Sequence, residues 1–121
     1  MKKIEAVIRR TRFEETKSAL LENGVEWFSY TDVRGAGHAR NRRVYRGVTY
    51  ETDIIERVML TIIVRDEICE RALDIIMTTA RTGEIGDGRV WVSDIEHYYS
   101  IRTGRCDDEI SHKGAPATKN E

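Results

Sequence analysis

The sequence predicts an α+β fold in which four strands form one antiparallel sheet and two helices cover one of its faces. Three observations carry this. The chain reads strand–helix–strand, then a long polar break, then strand–helix–strand. The strand segments alternate or run apolar, and each helical segment gathers its apolar residues on one side. Two right-handed halves of this kind close into a single sheet with both helices on the same side.

Lys2 to Ile8 alternates, with Ile4, Ala6 and Ile8 on one face and Val7 on the other, which defines the first strand. Thr11 and Glu14 have capping-box spacing and open a helix whose apolar set is Phe13, Ala19, Leu20 and Leu21, with Gly24 as its stop. Glu26 to Arg34 is aromatic and β-branched, the second strand. From Gly35 to Glu56 the pattern breaks into a polar stretch carrying Arg40, Arg42, Arg43 and Arg46. A loop of about 20 residues is uncommon in a compact domain unless it has a function. Val58 to Val64 is a near-continuous apolar run, a third strand expected to be buried on both faces. Asp66 is placed to cap a second helix with Ile68, Cys69, Ala72, Leu73, Ile75 and Ile76 on its apolar side. Arg89 to Ile95 forms the fourth strand, with Trp91 opposite Val90, Val92 and Ile95, and His97 to Ile101 is placed to extend the sheet edge. The arrangement is the ferredoxin-like βαββαβ sandwich, with the long loop between its second and third strands. Two helices cover only one sheet face. The other is expected to carry Val7 and several of Trp27, Tyr30, Met59, Thr61, Ile63 and Trp91, an open apolar area that calls for oligomerisation.

At 121 residues the chain suits one domain, read as residues 1–108, with a polar tail at 109–121 that holds the sole proline, Pro116. A formal net charge of −1 gives no global pull toward nucleic acid or an anionic membrane. No apolar run approaches the roughly 20 residues that cross a bilayer, and the N-terminus lacks a secretory apolar region, so a cytoplasmic protein without membrane insertion is expected. Cys69 and Cys106 form no C-x-x-C pair. Cys69 reads as a small buried hydrophobe and Cys106 as part of the tail. No His/Cys/Asp cluster, His38 and His97 included, has zinc-ligand spacing, so no metal centre is expected. Glu51 and Asp53 have no acid/base partner, no activated serine or cysteine is visible, and no enzyme is expected.

The sharpest functional signal is Thr82-Gly83-Glu84-Ile85-Gly86-Asp87-Gly88-Arg89, where three glycines fall within six residues, followed downstream by Ile101-Arg102-Thr103-Gly104. Glycines at this density let main-chain N–H groups converge on an anion, and Arg89 and Arg102 add fixed positive charge. Taken alone, such a run is more often a plain helix-to-strand turn. Taken with the opening Met-Lys-Lys-Ile-Glu-Ala, Tyr45-Arg46-Gly47-x-x-Tyr50 and Thr78-x-Ala80-x-Thr82, it closely resembles the PII signal-transduction proteins, from Met1 to about Asp108. The combination is specific, although each piece alone is weak.

The resemblance implies a homotrimer of ferredoxin-like subunits whose inter-subunit clefts bind ATP or ADP. It also implies a T-loop, about residues 36–56 here, that reaches ammonium transporters or nitrogen-assimilation enzymes. By resemblance, Gly86, Asp87, Gly88, Arg89 and Arg102 hold phosphates, Gly35, Gly37 and His38 form the base of the T-loop against the nucleotide, and Val7, Ser29 and Val64 surround adenine. Arg57 matches the family's 2-oxoglutarate-binding cation, with Ala39 and Arg40 beside it, and Tyr50 matches a tyrosine that some members carry in modified form. Four departures bear on this. Arg89 replaces a lysine but keeps the charge. Ser100 stands where a second arginine is common, which should weaken triphosphate binding or shift preference toward ADP or AMP. Ala39 stands where a glutamine oxygen helps hold Mg²⁺ beside 2-oxoglutarate, and His38 replaces an arginine in a T-loop one residue short. Mg²⁺ and 2-oxoglutarate are therefore left open. An alternative is a divergent relative that senses another metabolite, such as bicarbonate, with ADP or AMP. An RNA-binding module of the same strand order is more remote, because such modules stack bases on central-strand aromatics and Val58 to Val64 has none.

Overall fold

The computed structural model describes the backbone of residues 1–36, 42–45, 48–51 and 54–106, and the side chains of residues 1–36 and 56–106. Gly37, His38, Ala39, Arg40, the side chain of Tyr50 and the tail 109–121 lie outside the described residues.

The elements run β1 (Lys2–Arg9), a 3₁₀ turn (Arg10–Arg12), α1 (Phe13–Glu22), β2 (Phe28–Ala36), β3 (Arg42–Tyr45), β4 (Val48–Glu51), β5 (Ile54–Val64), α2 (Asp66–Ala80) and β6 (Gly88–Asp94). The main sheet has four strands in the order β2-β5-β1-β6, all pairs antiparallel, while β3 and β4 pair separately. This is the ferredoxin-like order, with the β3–β4 pair inside the region read as one polar loop. There, Val48-Thr49-Tyr50-Glu51 alternates and pairs with a strand ending in the β-prone Val44-Tyr45, a local ladder that the surrounding glycines and arginines obscured.

One face of the sheet is dry. Ile4, Ala6 and Ile8 of β1 and Val58, Leu60, Ile62 and Val64 of β5 pack with Phe13 and Leu20 of α1 and Cys69, Ala72, Ile76 and Ala80 of α2. The Cys69 thiol is pushed above its ordinary value by this burial, as expected of a core cysteine. β5 is not buried on both faces in the single chain: Met59, Thr61 and Ile63 alternate with the core residues and are only half-buried on the uncovered face. That uncovered face also carries Val7, Ser29 and Trp91, placed there by the register Val7↔Met59, Ser29↔Thr61 and Glu5↔Trp91. Tyr30 belongs to the other side. It stands opposite fully buried Leu60, and its ring centroid lies 4.7 Å from that of Phe13. Trp27 precedes β2 and is 75% exposed.

Local signals differ in detail from their sequence reading. Thr11 does not cap α1, which is instead preceded by the 3₁₀ turn with no side-chain cap. The C-terminus of α1 closes as the Gly24 stop requires, through Val25 N–H to Leu20 O at 2.9 Å and Gly24 N–H to Leu21 O at 3.2 Å, a Schellman pattern. The N-cap of α2 is Arg65, without a side-chain cap hydrogen bond, and Asp66 is the first helical residue, 3.0 Å from the Met1 ammonium group. His97 to Ile101 does not join the sheet. It turns back on itself, with Tyr99 bridged to Cys106 and Gly104 N–H donating to Ser100 O at 2.8 Å.

Candidate functional site

Because the strands are antiparallel, the ends of β1 and β2 meet the beginnings of β5 and β6 at one end of the sheet. The loop from α2 to β6 folds over that end. On the uncovered face it encloses a cavity of about 750 Å³, floored by Val7, Met59 and Trp91 and walled by Val33–Ala36, Arg57 and Glu84–Arg89. The volume is that of a small-molecule site, and the mix of an apolar floor with a few converging polar groups is typical of one.

Gly88 and Gly86 shape the loop. Gly88 has φ +101°, and a Cβ there would lie 1.8 Å from the Val7 carbonyl oxygen, so no other residue fits without moving backbone. Gly86 has φ +106°, and a Cβ there would meet the guanidinium groups of Arg9 at 3.2 Å and Arg57 at 3.3 Å. Two cations therefore crowd the main chain where β6 is about to begin.

Asp87 organises this turn from within. Its carboxylate accepts the Thr82 hydroxyl, the Thr82 and Gly83 N–H groups (2.9 Å each) and Arg9 Nε at 2.9 Å. Arg9 also donates to Ile85 O at 3.0 Å, which staples the loop to the end of β1. The Thr82 hydroxyl first, and Arg9 second, hold the Asp87 carboxyl well below the usual carboxylate range. Its folded value being depressed, its stabilisation is complete above the ordinary carboxylate pKa and is lost only as pH falls through the lower native value. Amide exchange at Gly83 is thus expected to stay protected down through pH 4 in the native chain, once intrinsic exchange is corrected for, and to lose protection in Asp87→Asn at neutral pH. Equal protection in the two proteins would show that the charge is dispensable.

Arg57 is the unusual group. It is 8% exposed and stands directly across from Arg9 in the β1–β5 register. Among the described residues it makes no hydrogen bond or ion pair. Burial first, and the charge of Arg9 second, push its pKa below the ordinary arginine value, with Asp87 partly opposing them. Like charges placed opposite one another on a sheet destabilise it, and a buried cation without a partner is costly. An anion in the cavity would remove both penalties. Arg89, at the mouth, is exposed and makes one long hydrogen bond, 3.4 Å to Gly88 O.

Of the residues singled out from sequence, Val7, Gly35, Arg57, Gly86, Asp87, Gly88 and Arg89 line the cavity together. Ser29, Val64 and Arg102 do not. Ser29 lies further back along β2, Val64 points into the core at the far end of β5 opposite Lys2, and Arg102 sits in the exposed turn after β6. Sequence reading missed Arg9 altogether, and named Met59 and Trp91 only as residues of an open face. Arg9 shares the face of Val7 by simple alternation, which is the signal that would have placed it here. Among the described residues no group of His, Cys, Asp and Glu is disposed to hold a metal ion, and no helix is long and apolar enough to cross a membrane.

Comparison with known proteins agrees with this architecture. The family model described as "Nitrogen regulatory protein P-II" matches residues 1–105. The chain is 42% identical over 105 residues to a nitrogen regulatory protein P-II from Bradyrhizobium diazoefficiens, covering 86% of this chain and 94% of that one. It is 38% identical over 109 residues, 89% of this chain and 97% of the relative in each case, to nitrogen regulatory protein P-II from Klebsiella oxytoca and P-II 1 from Escherichia coli K12. With the ferredoxin-like strand order in place and the match running through the glycine loop, the chain belongs to the nitrogen regulatory protein P-II family.

Proposed function

We propose that this protein is a nucleotide-dependent regulator. Its cavity takes the phosphates of an adenine nucleotide, and its occupancy sets the posture of the T-loop toward nitrogen-metabolism partners such as an ammonium transporter or an assimilation enzyme. The observation that carries this reading is that Arg57 and Arg89 line, with the glycine loop, a cavity of about 750 Å³ with an apolar floor, while Arg9 staples that loop from beside it. Guanidinium forks and main-chain N–H groups are the donors that phosphate oxygens accept from, and the apolar floor suits a flat base. Ser29, Val64 and Arg102 lie away from this chain's own cavity, which fits a cleft completed by a second copy packed on the uncovered sheet face. The homotrimer implied by the family resemblance would place such a cleft between each pair of subunits.

A second reading, a sensor of another small acid such as bicarbonate with ADP or AMP, is favoured by two residues. Ala39 offers no side-chain oxygen to Mg²⁺, and Ser100 removes a cation that a triphosphate would use. Arg57 serves either reading, since it needs only a compact anion.

Calorimetry with ATP, ADP and AMP, each with and without 2-oxoglutarate or bicarbonate, tests both. Heat with an adenine nucleotide is expected. Strong mutual enhancement of ATP and 2-oxoglutarate supports the first reading, because such coupling is reciprocal, and enhancement by bicarbonate supports the second. Silence with every nucleotide would remove both. Arg102→Ala is expected to weaken nucleotide binding by about 1.5–3 kcal/mol, the scale of a charge-assisted hydrogen bond. An unchanged dissociation constant would show that Arg102 does not face the phosphates.

A further inference from the structure

Behind the glycine loop, on the helix side of edge strand β6, lies a second hollow of about 290 Å³. Its floor is Ile8, Ile76 and Ala80, the first two 2% exposed and the third 6%. Its rim carries Met77, 43% exposed, and the exposed Arg81, while Arg89 borders it from β6 with its side chain on the face of Val7. Among the described residues neither arginine has a carboxylate partner, and Arg81 makes no hydrogen bond.

We infer that this hollow is a second ligand site, for a short-chain carboxylate whose alkyl end rests on Ile76, Ala80 and Met77 while its carboxylate meets Arg81. The size falls just under the about 300–1,000 Å³ common for small-molecule sites and suits a ligand of a few carbons. The chemistry is divided in the way an amphipathic anion requires. One wall is apolar and continuous with the core, and the rim holds the forked cation of Arg81, which matches a carboxylate. Met77, unbranched and with an adaptable thioether, is suited to close over alkyl chains of differing shape. The site does not depend on the nucleotide reading, since Ile76, Met77, Ala80 and Arg81 border this hollow alone.

The test is methyl NMR of the full chain, labelled at Met and Ile, titrated with hexanoate and in parallel with hexan-1-ol and acetate. Hexanoate is expected to shift the Met77 and Ile76 methyl signals saturably, with each control at least about tenfold weaker. Arg81→Gln and Met77→Glu change exposed positions, and unmoved Ile4 and Ile62 signals would confirm an intact core; each variant is expected to weaken hexanoate binding by about tenfold or more. The proposal is overturned if nothing saturates by about 10 mM hexanoate, the weak end of specific binding. It is equally overturned if acetate binds as well as hexanoate, if the shifts centre on Met59 in the larger cavity, or if both variants bind like the parent.

Discussion

Gly88→Ala is expected to be the most damaging single-methyl change in the chain. The added carbon would sit 1.8 Å from the Val7 carbonyl oxygen, in a residue whose φ is +101°. That contact cannot be relieved by a rotamer change, because both partners are main chain. Either β6 moves away from β1 or the peptide at Val7 rotates, and both routes break the β1–β6 ladder where it begins, at Ile8↔Gly88 and Val7↔Arg89. A loss of about 4 kcal/mol or more of unfolding free energy is expected, the range reserved for named structural faults. Gly35→Ala is the control. It also lines the cavity, but it has no positive φ and no atom within 4 Å of an added Cβ. Its stability should stay within about 0.5 kcal/mol of the parent, as for ordinary surface changes. Any fall in its ligand affinity then reports close approach of ligand to backbone rather than damage to the fold. Urea denaturation of the two variants beside the parent gives the comparison. A Gly88→Ala protein as stable as the parent would show that β6 does not begin against β1 as described.

That contrast shows where the sequence could be read and where it could not. The glycine cluster at Gly83, Gly86 and Gly88 marked the turn, and alternation in β1 fixed which residues turn to the helices. Those are local patterns, carried by neighbours in the chain. The role of Asp87 was not local. The family resemblance set Asp87 among the phosphate-holding residues, and its carboxylate is filled by Thr82, Gly83 and Arg9, the last of them 78 positions away. Arg9 had no role assigned from sequence, because nothing nearby in the chain reveals that β5 places Arg57 across from it. In β2 the run Trp27-Phe28-Ser29-Tyr30 supports either phase of alternation, since three of its four residues are aromatic. Contact of Tyr30 with Phe13 settles the phase, and only packing supplies that. Thr11 and Asp66 are not the N-caps for a similar reason: the helices begin elsewhere, after a 3₁₀ turn for α1 and at Asp66 itself, behind Arg65, for α2.

Arg57→Met is expected to move stability and binding in opposite directions, which is the behaviour that separates a ligand-binding cation from a structural one. The parent residue is 8% exposed, faces Arg9 across the sheet, and has no ion pair among the described residues. Its charge is therefore a cost to the empty protein, and an unbranched apolar side chain of similar reach relieves it. Replacing buried charge by well-packed apolar residues is often neutral or stabilising, by about 1–4 kcal/mol, so the midpoint of thermal unfolding should hold or rise in the absence of ligand. The same change removes a guanidinium from the cavity wall. Affinity for the anion that stabilises the parent should fall by about 1.5–3 kcal/mol, the scale of a hydrogen bond to a charged group. Thermal unfolding of both proteins across a titration of nucleotide, with and without 2-oxoglutarate or bicarbonate, reads both effects at once. The variant should begin at or above the parent and gain less from ligand, so that the two curves converge or cross. A variant that is less stable when empty would mean that Arg57 supports the fold through its charge. One that gains as much as the parent from every ligand would mean that Arg57 faces none of them.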